Sequence, residues 1–213
     1  MVKTVVGSFD SIAQAAGAAR ALRAAGFMEN DVSVVANNAQ RAVAREGDAT
    51  TGEAASDDKA SGAAKGIVAG GALGGVAGLA ASLMGLAIPG IGPILAAGPV
   101  AAALAGAGAG AVAGGLIGSL TDLGVSDTHA EYYAEAVRRG GALVTVKVDQ
   151  SRVQEAEQII KAHDAFDIEA RASQWMAAGW VGYNPNGEPY TFEEIERNRT
   201  RWTAAQRPRS ARS

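Results

Sequence analysis

Apolar and polar positions divide the chain into five stretches. In residues 1–38, Val2–Val6 is short and β-branched, which predicts a strand. Asp10 or Ser11 can cap the helix that follows. Ile12, Ala15, Ala16, Ala19, Leu22 and Ala25 recur at three- and four-residue steps and draw one helical stripe, and Gly26 is placed to stop it. Asp31–Ala36 is the second predicted strand. The pattern returns in residues 122–172. Thr128–Arg139 predicts a helix with Thr128 and Glu131 in capping-box spacing, ended by Gly140-Gly141. Ala142–Val148 alternates as a strand, Ser151–His163 predicts a helix with Ser151 and Gln154 in the same spacing, and Phe166–Ala172 predicts a last strand.

These two stretches echo each other, because Asp10 precedes Phe27 by the same interval as Asp149 precedes Phe166. Each reads as strand, helix, strand. Residues 1–38 and 122–172 are therefore expected to be two βαβ halves of an α+β domain, a ferredoxin-like split βαβ sandwich.

Between the halves lie a polar linker, 39–65, and an uncharged stretch, 66–121. The linker is rich in small and charged residues and cannot form a core. The uncharged stretch holds Gly66, Gly70, Gly74 and Gly78 four residues apart, and Gly106, Gly110, Gly114 and Gly118 likewise. The two sets mirror each other about Gly92, inside the helix breaker Pro89-Gly90-Ile91-Gly92-Pro93. This predicts an antiparallel helical hairpin whose glycine faces pack closely, as small-xxx-small faces do in lipid. Its arms, 66–89 and 99–119, would be about 36 Å and 31 Å long against a bilayer core of roughly 30 Å. Lys59 and Lys65 precede it and its tip is uncharged, so both termini are expected on the cytoplasmic side. The high glycine and alanine content of the arms and the lack of aromatic residues in the hairpin weigh the other way, toward a hairpin buried in a soluble oligomer.

Residues 173–213 form an aromatic, Arg-rich tail. Trp175, Trp180, Tyr183, Tyr190, Phe192 and Trp202 fall there, and Asn184-Pro185-Asn186-Gly187 signals a turn. Thr191 and Glu194 make a capping box, with Tyr190 and Ile195 placed as a hydrophobic staple, before a short helix from Phe192 to about Trp202. Arg197, Arg199, Arg201, Arg207, Arg209 and Arg212 follow with no acid among them, which suits a solvated tail or a contact with an anionic partner.

Composition narrows the function classes. The chain has 213 residues and no cysteine, which excludes disulfide scaffolds, thiolate zinc sites and cysteine nucleophiles. A net charge of -3 argues against a strongly basic nucleic-acid binder. The N-terminus does not read as a secretory signal. Of 28 glycines, 16 lie within 66–121, so the glycine surplus belongs to the predicted hairpin. Gly106-x-Gly108-x-x-Ala111 imitates a dinucleotide fingerprint but lacks the preceding strand and following acid that it requires. His129 and His163, the only histidines, show no metal-ligand spacing, and Tyr132-Tyr133 reads as one buried and one exposed ring. No catalytic, cofactor-binding or metal-ligating set emerges.

The run Tyr133-Ala134-Glu135-Ala136-Val137-Arg138-Arg139-Gly140-Gly141-Ala142-Leu143-Val144-Thr145-Val146 resembles a Y-x-E-x-V-R-x-G-G-x-L-V-x-V segment of bacterial general stress proteins, the heat-induced stress protein YflT-like family. Val5-Val6-Gly7-Ser8-Phe9-Asp10-Ser11, the glycine-rich centre and Asp167-Ile168-Glu169-x-Arg171 are also similar. The resemblance covers 1–172 loosely and 130–171 best. It implies a non-enzymatic general stress-response protein and supplies no catalytic residue. The expected function is therefore a stress protein that is inner-membrane-associated or self-assembling through its glycine-zipper hairpin. The alternative is a cytoplasmic ligand- or partner-binding regulatory module whose hairpin is buried in an oligomer. No cofactor and no specific nucleic acid are expected. The expected partners are membrane lipid or further copies of the chain.

Overall fold

The β-branched runs and helical stripes build a mixed α+β domain in the computed structural model, which describes residues 1–38, 84–88, 91–106, 114–184 and 186–206. The strands are β1 (Val2–Phe9), β2 (Val32–Asn37), β3 (Met84–Ile88), β4 (Gly92–Ala97) and β5 (Ala142–Asp149). They form one sheet in the order β1-β5-β2-β4-β3, with every neighbouring pair antiparallel. The helices are α1 (Ile12–Ala24), α2 (Pro99–Gly106), α3 (Gly114–Asp122), α4 (Asp127–Arg138), α5 (Val153–Lys161), α6 (Ile168–Ala177) and α7 (Phe192–Gln206).

Strand periodicity sorts the core into two faces. Val34, Val144 and Val146 face α1 and α5, where they meet Phe9, Ala15, Leu22 and Ile160. Val35 and Leu143, one residue out of phase, join the opposite cluster with Ile94, Val100, Leu104, Leu116, Leu120 and Val137. The sheet is thus covered on both sides, which is why Val32–Ala36 is buried at every position rather than alternately. Gly7 makes room on β1 for Ile160 of α5, whose Cγ2 occupies the space a Cβ would need.

Several expectations change in detail. Ser11 caps α1 and accepts from the Gln14 N–H, while Gly26 takes a positive φ of 86° after the helix, as its position predicts. Ser126, not Thr128, caps α4 and accepts from the His129 N–H. A 3-10 turn at Gln150–Arg152 replaces the predicted start of α5 at Ser151. The Thr191–Glu194 capping box forms as expected, with the Thr191 N–H donating to Glu194 at 2.8 Å and the Glu194 N–H to Thr191 at 3.3 Å. The predicted strand over Phe166–Ala172 is replaced by α6. Only Phe166 joins the sheet, through an isolated bridge to Ser8. Asp167 accepts from the N–H groups of Glu169 and Ala170, and Ile168, Ala172 and Trp175 form a buried i, i+4, i+7 stripe, so helix wins.

The largest correction concerns the glycine-rich hairpin. β3 and β4 pair antiparallel at the edge of the sheet, so 84–88 is a strand rather than the end of the first predicted helical arm, and the chain just before the second arm is a strand as well. Pro89 and Pro93 both oppose a continuous helix, and the β-branched Ile88 and Ile94 suit strands. Gly92 takes a φ of +98° where the chain enters β4. Pro99 opens α2, as its predicted first-turn position implies. The second arm is described only as α2 and α3, with 107–113 outside the described residues. Among the described residues, no helix is long and apolar enough to cross a membrane.

β4 is tied to β2 by more than its strand pairing. The Val100 N–H donates to Ser33 Oγ at 3.2 Å in a buried setting. Gly98 precedes it with a φ of +82°, and a Cβ there would collide with Val32 O and come within 2.8 Å of Ser33 Cα. Only glycine combines this conformation with so close an approach of two backbones.

Candidate functional site

The turn from α4 into β5 gathers the family-like residues Tyr133, Glu135, Val137, Arg138, Gly140 and Gly141 into one cluster. Glu135 is completely buried, at 0% exposure, one turn before the end of α4. Arg139 Nε donates to its Oε1 at 2.6 Å and Arg138 Nη1 to its Oε2 at 3.3 Å. The i+3 and i+4 spacings bring both guanidinium groups onto the carboxylate, and burial of that charge requires such pairing.

The glycine pair closes the helix in a Schellman motif. The Gly140 N–H donates to Val137 O and the Gly141 N–H to Ala136 O, each at 2.9 Å, with Gly140 at a φ of +94°. A Cβ on Gly141 would stand 2.8 Å from Ala136 O and 3.0 Å from Phe9 O. Asn37, at the end of β2, fastens the turn to the sheet: its N–H donates to Gly141 O and its Nδ2 to Val137 O, both at 3.1 Å.

The tail lies over this cluster. Arg138 Nη2 donates to Glu188 O at 2.7 Å, and its guanidinium sits 4.6 Å from the centre of the Tyr190 ring. Arg139 lies 4.9 Å from the Trp175 ring centre and 5.3 Å from that of Tyr190. Ile195 is buried, and its Cγ2 fills the space a Cβ on Gly140 would take. Trp180 meets both Trp175 and Tyr132 edge-on at 5.8 Å. Tyr132 and Tyr133 are both half-buried, instead of one buried and one exposed.

Burial pushes the Tyr133 phenol up to about 12, with the Glu169 and Asp167 charges adding to the effect. Burial likewise pushes Tyr183 up to about 12, with the Arg138 charge opposing and Glu135 adding. Unfolded tyrosine ionises near 10. The folded protein holds its phenolic protons to higher pH, so this contribution is complete below pH ~10 and is lost as pH rises toward 12. Urea titrations at stepped pH should show stability falling above pH ~10. The Tyr133→Phe, Tyr183→Phe double variant should fall less steeply, and an equal slope would refute this assignment.

Beside the cluster, α6 and α7 wall a pocket of about 230 Å³ that reaches from Asp10 to Gly141. Arg171 is 7% exposed and binds Asp10 through both guanidinium ends, at 2.8 Å and 3.3 Å, while stacking 3.8 Å from the Phe166 ring centre. Burial holds Arg171 below the ordinary arginine value, against the pull of Asp10. Arg199 donates to Glu196 Oε1 at 2.9 Å and to Asp10 O at 3.4 Å. Of the two cap candidates, Ser11 takes the role, and the Asp10 carboxylate binds Arg171. Arg139, Arg171, Trp175 and Asn198 are site residues that single-sequence reasoning did not assemble.

The predicted hairpin-packing residues are not brought together in the described part. Gly66, Gly70, Gly74, Gly78 and Gly110 lie outside the described residues, as do Pro89 and Gly90 of the predicted turn. Gly106 ends α2 and Gly114 begins α3. Nothing stands within 4 Å of a Cβ on Gly118, whereas a Cβ on Gly115 would stand 3.3 Å from Leu104 Cδ2. Gly92 faces Pro189, and Pro93 lies in β4. Arg207, Arg209 and Arg212 are also outside the described residues. His129 Nε2 meets Glu169 at 2.8 Å on the surface, and His163 Nδ1 lies 2.9 Å from Ile159 O. Among the described residues, no group of three His, Asp or Glu could hold a metal ion.

Fold and site together define a mixed α+β domain with a buried Arg–Glu–Arg cluster clasped by its own C-terminal tail. Residues 4–89 match the heat induced stress protein YflT domain, the family that the sequence resemblance names. The match takes in β1, α1, β2 and β3, while the residues 130–171 that also carry the resemblance lie beyond it. No curated protein and no solved structure matches the chain.

Proposed function

We propose that this protein is a non-enzymatic bacterial general stress protein that works as a cytoplasmic binding module, and that β3, β4, α2 and α3 complete its own core rather than embed in a bilayer. The observation that carries this reading is the second core cluster. Ile88, Ile91, Ile94, Leu104, Leu116 and Leu120, all from the uncharged stretch, are buried against Val35, Val137 and Leu143. Burying each such side chain is worth about 1.5–3 kcal/mol relative to leaving it in water, so these residues find an apolar environment within the domain and need no bilayer to supply one. The YflT match supports the stress assignment. We also infer that the β1–α1–β2 and β5–α5–Phe166 units form a ferredoxin-like arrangement whose last strand is reduced to the Ser8–Phe166 bridge.

Fractionation with a carbonate wash, followed by light scattering on the released material, tests this reading. The full chain should leave the membrane fraction completely and scatter as a defined species. Retention in the carbonate-resistant pellet would overturn it in favour of an inserted hairpin.

A further inference from the structure

We propose that the pocket between the α4–β5 turn, α6 and α7 is a binding site for a small organic monocarboxylate with an apolar body. This deepens the binding-module reading and rests on it.

The charges around the pocket are uneven. Asp10 is its one acidic lining residue, and both of its carboxylate oxygens are taken by Arg171. Glu135 lies behind Arg139 and is satisfied by Arg138 and Arg139. Glu196 is held by Arg199. Among the described residues, no open carboxylate therefore faces the pocket to attract a cation.

Arg139 differs from Arg171 and Arg199, the other arginines that line the pocket. Its Nε is committed to Glu135, but its two Nη groups make no protein hydrogen bond among the described residues. The guanidinium lies near the Trp175 and Tyr190 rings, whose contacts limit its freedom, and Arg139 lines the pocket. A planar fork fixed in this way accepts a carboxylate with two parallel N–H bonds, a geometry lysine cannot reproduce. The Gln174 and Asn198 side-chain amides line the same space, also without protein hydrogen bonds among the described residues, and can donate to the same anion. The Phe166 and Trp175 rings with Ala136 and Ala178 supply an apolar wall. At about 230 Å³ the pocket falls below the roughly 300–1,000 Å³ of sites for drug-sized molecules, which limits the ligand to a small acid.

Benzoate is the test probe and benzamide its neutral counterpart, each titrated into the full-length protein while amide and indole resonances are followed by NMR. Benzoate should shift Gly140, Gly141 and the Trp175 indole saturably, and benzamide should not. Arg139→Lys should weaken binding about tenfold while keeping a cation beside Glu135. Gln174→Ala, at an exposed position that leaves the core intact, should weaken it several-fold, so the test survives if the Arg139 variant fails to fold. Absence of saturable shifts at these residues, equal binding of benzamide, or benzoate affinity unchanged in the Gln174 variant would overturn the site. Membrane retention in the fractionation would count against the binding-module reading without altering any of these titrations.

Discussion

Replacing Glu135 by alanine is expected to cost about 3–5 kcal/mol of stability. The carboxylate is fully buried, and its removal leaves Arg138 and Arg139, at 13% and 19% side-chain exposure, without the anion that offsets their desolvation. The loss should spread to the tail, because Arg138 also holds Glu188 O and Tyr190, and Arg139 lies against Trp175 and Tyr190. Two measurements check this together: the urea midpoint, and the rate of limited proteolysis across 184–206. Glu135→Ala should lower the first and raise the second. Glu135→Gln keeps an acceptor for Arg139 Nε and should be milder in both. A stability within about 0.5 kcal/mol of the parent, the usual range for an unimportant surface position, would show that the cluster does not organise the site.

Gly98→Ala carries the second large effect, about 2–4 kcal/mol. Its φ of +82° disfavours any side chain, and the obstructing atoms are backbone, Val32 O and Ser33 Cα, which cannot rotate away. The substitution must push β4 from β2 or break the Val100–Ser33 hydrogen bond behind it. Thermal and urea unfolding should both register the loss. Gly118→Ala, in the same glycine-rich stretch but with nothing within 4 Å of the added carbon, should instead be neutral or stabilising. Equal effects at the two positions would contradict the described docking of β4 and α2.

The contrast between these glycines shows where the sequence was legible. α1, α4 and β5 follow from helix and strand periodicity, because polar contrast reveals their faces, and β1 and β2 follow from their short β-branched runs. The Gly140-Gly141 stop and the Thr191–Glu194 box are local chemistry, readable from a few residues. The uncharged stretch offers no polar face, so its period is hidden. Met84–Ile88 and Gly92–Ala97 are apolar without polar alternation, and such runs read as readily as helix as strand. Four-residue glycine spacing suggests a zipper, whereas among the described residues of this stretch the close approaches fall at Gly92, Gly98 and Gly115, outside that spacing. α6 was misread because a strand echo outweighed the Asp167 cap and the Ile168, Ala172, Trp175 stripe. The Asp10–Arg171 pair joins positions 161 residues apart, and no local pattern announces it.

β4, from the glycine-rich stretch, folds back onto β2 of the same chain. Interstrand NMR contacts between the register partners Val35 and Ala96, and Val34 and Ala97, test it most directly. One sample is uniformly labelled; a second mixes labelled and unlabelled chains and is filtered to report contacts between molecules only. The contacts should be present in the first sample and absent from the second. Their absence from the first, or their appearance in the second, would contradict the intramolecular docking of β4 on β2.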